Sequence, residues 1–222
     1  MPCALQQPTL HWNNLKMNKS LTLLGTALLL ASSASAFAAS SVDLTVKGLI
    51  TPNACTPAIS GGGVVDHGKI ASKDLVQNNP TSLPKFTLQL TINCEGLTAI
   101  AIRPIDNRAG TSTSHSDFGL GLINENKKLG RFYLTPLNMV ADAVAVQPIA
   151  SGDGGRTWYA EWAWELQTLW GVGALDDATR LIPIKDLVMD LEVATQIARA
   201  DQFDFSEEQP IDGSGTLEVM YL

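Results

Sequence analysis

The chain has 222 residues, and its 22 acidic residues outnumber 15 basic ones for a net charge of −7. An acidic surface repels nucleic-acid phosphates and gains nothing from anionic lipid, so neither is an expected partner. The length allows one domain with a core of its own.

The chain opens with residues 1–16, which show no periodicity and are read as a start codon called too early. A complete export signal follows over residues 17–38. Lys19 supplies the positive end, Leu21 to Leu30 an apolar run, and Ala34-Ser35-Ala36-Phe37-Ala38 the small-residue cleavage sites. Cleavage after Ala36 or Ala38 both fit, and the second is preferred. The apolar run is about half of the ~20 residues a spanning helix needs, so no membrane span is expected.

Past the leader only Cys55 and Cys94 remain, an even count in a chain sent to an oxidising compartment. A disulfide between them is the expectation. Closing a loop of about 40 residues contributes roughly 4 kcal/mol in the chain-entropy model. The alternative, a metal site with His67 and His115, lacks any short ligand spacing, and no metal or other cofactor is expected.

Period-two alternation then dominates. Val42, Leu44 and Val46 share one face, as do Phe86, Leu88, Leu90 and Ile92, then Leu187, Met189, Leu191 and Val193, and finally Leu217, Val219 and Tyr221. Turn residues separate these runs at Ser60-Gly61-Gly62-Gly63, Asn78-Asn79-Pro80, Asp106-Asn107-Arg108-Ala109-Gly110, Asn124-Glu125-Asn126 and Ser151-Gly152-Asp153-Gly154-Gly155. Many short strands so punctuated predict a single all-β sandwich or barrel over residues 51–222. Trp158, Trp162 and Trp164 fall on one face if their segment is a strand; they are read as packed core or, alternatively, as a carbohydrate-stacking surface.

Four quoted segments, in this order, resemble subunits of chaperone-usher pili. Val46-Lys47-Gly48 with Cys55 seven positions on looks like the pilin opening. Val64-Val65-Asp66-His67-Gly68 looks like the valine-aspartate-leucine-glycine element, with His67 in place of leucine. Phe86 to Cys94 looks like the strand carrying the second cysteine, and Tyr221 is the penultimate residue. Gln209 and Pro210 stand where pilins usually carry a glycine, and Gly213 and Gly215 come later. The whole chain is more similar to the exported, fimbrial-protein-like GltF-type group.

That resemblance implies an incomplete immunoglobulin-like (pilin-type) β-sandwich with one disulfide. A sheet missing a strand leaves a groove and an unpaired edge. The donor strand would be residues 39–50, with Val42, Leu44 and Val46 filling pockets and Gly48 allowing close backbone approach. The accepting strand would carry Leu217, Val219 and Tyr221. Each buried Val or Leu would contribute about 1.5–3 kcal/mol. Implied partners are a periplasmic chaperone, an outer-membrane usher and neighbouring fimbrial subunits; the implied location is the periplasm and then the cell surface. The contrasting readings are a first strand that pairs within its own chain, and a periplasmic or secreted ligand-binding module.

Enzymatic signals are thin. His115 beside Ser114, Ser116 and Asp117 is a sequence neighbourhood, whereas a triad draws its members from separate elements. Asp176-Asp177 and Glu207-Glu208 read as solvated turns, and no phosphate-cradling or nucleophile motif is present. No catalytic residue is expected, and the chain is not read as an enzyme.

Overall fold

The computed structural model describes residues 54–222, which fall within one compact unit, Ile50–Leu222. The described residues are all-β, with three short 3-10 turns. In chain order the strands are β1 Cys55–Ile59, β2 Thr81–Ser82, β3 Phe86–Thr98, β4 Ile100–Asp106, β5 Phe118–Gly119, β6 Leu122–Ile123, β7 Lys127–Lys128, β8 Gly130–Ala141, β9 Val144–Ser151, β10 Tyr159–Ala160, β11 Leu169–Ala174, β12 Ile184–Ile197 and β13 Gly215–Tyr221.

Neighbouring strands are antiparallel along the path β1-β3-β12-β8-β9-β11-β4-β13. The path folds over between β8 and β9, which share only the pairs Val140↔Ala145 and Ala141↔Val144. On one side lie β1, β3, β12 and β8, and on the other β9, β11, β4 and β13. The apolar faces pack on each other: Leu90, Ile92, Leu187 and Leu191 of the first layer share a core with Ile102, Trp170 and Val172 of the second. This is a β-sandwich, and its first and last strands are the two ends of one ladder.

The alternation read from sequence is the alternation of burial. In β3, Leu90, Ile92 and Cys94 are buried while Gln89 and Asn93 are exposed. In β12, Leu187, Met189, Leu191 and Val193 point inward. The expected turns are turns: Asn124 and Glu125 have positive φ between β6 and β7, and Gly61 and Gly62 turn the chain after β1.

Cys55 and Cys94 are directly opposed in the β1–β3 ladder and joined by a disulfide. The tryptophan segment is not one strand. Only Tyr159–Ala160 pairs, and residues 161–168 form bends and turns with one isolated bridge, Leu134↔Trp164. Trp164 stacks on Trp170 at 4.0 Å inside the core.

Candidate functional site: a groove between the first and last strands

β1 pairs with β3 on one side, and β13 pairs with β4 on one side. Among the described residues neither has a partner on its other side, and a groove of about 490 Å³ runs between them. Pro57 within β1 fits this placement, because a residue without an N–H is tolerated on an edge. The floor is apolar, with Leu88 and Leu90 of β3, Leu191 and Val193 of β12, and Phe132 and Leu134 of β8.

Several local devices shape it. Arg103 pairs with Glu218 on the outward face of β4 and β13, which leaves Leu217 and Val219 against the core, with Leu217 on the groove wall. At one end Tyr221 Oη accepts the N–H of Cys55 at 2.8 Å. Farther along, Phe118 and Phe132 stack at 4.6 Å under the backbone of Gly213 and Gly215. A Cβ on Gly215 would lie 2.6 Å from Phe118 Cε1, and one on Gly213 would lie 3.0 Å from Leu120 Cδ2 and Phe132 Cε1. Both glycines are required by close approach to rings, in the stretch where the sequence departs from the pilin pattern.

The Val-Asp-His-Gly segment forms the opposite lip. Asp66 Oδ1 accepts the N–H of Gly68 at 2.8 Å, and Gly68 adopts φ +62, a conformation that favours glycine. This turn carries His67 to the groove wall, where Nε2 lies 3.0 Å from Thr195 Oγ1 and the ring meets Phe86 edge-on at 5.1 Å. Burial lowers the His67 pKa, and the neighbouring Asp66 carboxylate opposes that shift in part.

Of the accepting residues in the sequence reading, Leu217 lines the groove, Val219 packs against the core and Tyr221 bonds to Cys55. The donor residues Val42, Leu44, Val46 and Gly48 lie outside the described residues. The three tryptophans are not brought together as a surface: Trp158 and Trp164 are buried, and Trp162 is 59% exposed. Asp117 engages Arg131 at 2.8 Å, and Asp177 caps its own turn through Thr179. Among the described residues there is no group of three or more His, Cys, Asp or Glu able to hold a metal. No helix among them is long and apolar enough to cross a membrane.

Sequence reasoning weighed His67 as a metal ligand and as the residue in place of leucine, and did not place it on a groove wall. The signal that marks it is a titratable side chain inside an Asx-type turn that ends in glycine. The aromatic floor was missed too, because Phe118 belongs to a two-residue strand with no periodicity to betray it.

Residues 44–122 match the family described as Protein of unknown function (DUF1120). The chain is 28% identical to Uncharacterized protein YhcF of Escherichia coli (strain K12) over 88% of its own length and 98% of that protein's. It is 38% identical to Protein GltF of the same strain over 103 residues, 41% of this chain and 39% of that one. The second match agrees with the GltF-type resemblance drawn from the sequence.

Proposed function

We propose that the chain is a structural subunit of a fimbria-like surface fibre, and that the groove takes an extended segment, residues 39–50, from a second copy. The single observation that carries this reading is the apolar groove between two unpaired edge strands. An open edge of that kind is completed by adding a strand, with main-chain hydrogen bonds supplying affinity and alternate side chains filling pockets.

Length and pattern fit. β13 spans seven residues, so at ~3.3 Å per residue an added strand of residues 42–48 runs its whole length. Val42, Leu44 and Val46 then face the groove floor, and Gly48 permits close approach. On this reading the chain is exported, handled in the periplasm by a chaperone that covers the groove, passed through an outer-membrane usher, and displayed at the cell surface.

Replacing Leu44 with a photoreactive benzoylphenylalanine in the full chain tests it. The expected product is a covalent chain-to-chain adduct mapped to groove residues such as Leu217 or Phe132. Adducts confined within single chains would show a first strand paired at home and would defeat the proposal. The ligand-binding alternative is left with Trp162 and with Tyr159, 43% exposed.

A further inference from the structure

The groove wall is apolar except near one end, where His67, Thr195 and Ser214 contribute polar side chains. His67 is held there from three directions: by the Asp66–Gly68 turn, by the edge-on contact with Phe86, and by Thr195, which is only 4% exposed. Swinging the ring out to solvent would break its contacts with Thr195 and Phe86.

We propose that His67 makes strand capture conditional on a neutral imidazole, so that the groove releases its strand as the ring takes up a proton. The inference rests on the strand-capture reading above. An imidazolium in the open groove keeps water on its free face. A strand laid along the groove removes that water, and the lining offers aromatic and aliphatic carbon in exchange, an unfavourable trade for a charge. Protonation and capture therefore oppose each other.

The charged groups on the surrounding elements do not rescue the cation. Lys85, just before β3, and Glu192 of β12 pair at 2.7 Å, and Arg131 of β8 pairs with Asp117 at 2.8 Å. Asp66 does favour the protonated ring, but burial outweighs it even in the open groove. The sign follows from linkage: the proton binds the empty groove more tightly than the filled one. Capture is strongest above the ring's open-groove pKa and weakens by up to tenfold per pH unit below it, until the filled-groove pKa is reached.

The test is the Kd of a fluorescent synthetic peptide of residues 39–50 for the full chain between pH 8 and pH 5, with the ring titration followed by NMR. The wild type should lose affinity on acidification, and the ring pKa should fall when peptide binds. His67→Leu and His67→Gln should bind with no such loss. Binding that is flat with pH in the wild type, an acid loss that persists in His67→Leu, or a ring pKa unmoved by peptide overturns the inference and leaves strand capture standing. Failure of wild type and His67→Leu to bind at any pH overturns the groove reading, and this inference with it.

Discussion

Tyr221 Oη takes the backbone N–H of Cys55, 166 residues earlier in the chain, at 2.8 Å. That one contact ties the last strand to the first across the end of the groove, beside the disulfide that fixes β1 to β3. Tyr221→Phe removes the acceptor and keeps the ring. Because the site is open to water, the expected loss is about 0.5–1 kcal/mol, the lower part of the range for a neutral hydrogen bond. Urea unfolding of the two proteins measures it. A midpoint unchanged within error would mean that the two edges are held apart by the sandwich alone.

The disulfide is the larger constraint on β1, whose five residues pair with one neighbour only. Replacing Cys55 and Cys94 together by Ser frees a segment separated by 39 positions and should cost about 4 kcal/mol on the chain-entropy estimate. Since β1 forms one wall of the groove, peptide binding should fall with stability. Unfolding followed with and without reductant would reveal the cost, and a shift under about 1 kcal/mol would show that β3 holds β1 without covalent help.

Long strands were legible in the sequence because one face of each is buried. Alternation over β3 and β12 fixes which residues point inward, and a one-residue slip would expose the whole set. The cysteine pair was legible from the even count left after the expected leader. What escaped was set by distant contacts. Trp158 and Trp164 are core, as the packing reading had it, but spacing on one strand does not reveal that residues 161–168 leave the sheet, tuck Trp164 onto Trp170 and expose Trp162. The groove was anticipated through resemblance, but its floor depends on Phe118 meeting Phe132 beneath two glycines, and no local pattern encodes that meeting.

Gly215 tests that floor directly. Its φ is ordinary, so the argument is purely steric: a methyl group would sit 2.6 Å from Phe118 Cε1, and Phe118 is fully buried against Phe132. Gly215→Ala should destabilise by about 1–3 kcal/mol, the usual range for overpacking a filled core. Thermal unfolding gives the number. A variant as stable as the wild type would mean that the ring pair moves aside freely.

The β8–β9 connection carries the opposite opportunity. Asp142 and Ala143 both have positive φ, at 49° and 64°, as a two-residue hairpin turn of this hand demands. Asp142 is compensated, since its carboxylate accepts the N–H groups of Lys185 and Asp186. Ala143 has no such return, and an L-residue in this region costs roughly 1–2 kcal/mol. Ala143→Gly removes that strain while loosening the unfolded chain, so a net gain of about 0.5–1 kcal/mol is expected. A lower denaturation midpoint in the glycine variant would contradict this account.

Acid should loosen the loop after β9 only at low pH. Asp153 Oδ1 accepts the Ser151 hydroxyl at 2.8 Å and the N–H groups of Arg156 and Thr157 at 3.0 and 2.9 Å, and Oδ2 accepts the Thr157 hydroxyl at 2.8 Å. These donors, led by the Thr157 N–H and hydroxyl, hold the carboxyl at about 2, below its usual 3.8. A depressed carboxylate pKa contributes stability that is complete above the unfolded value and is lost as pH falls from about 4 towards 2. Amide shifts of Arg156 and Thr157, followed by NMR, should therefore titrate with a midpoint near 2, and the step should vanish in Asp153→Asn. A midpoint near 4 would show that the donors do not bind the carboxylate in solution. The loop also underlies the C-terminus, where a Cβ on Gly155 would lie 3.3 Å from Leu222 Cδ1, so its loosening should register at Leu222 over the same pH window.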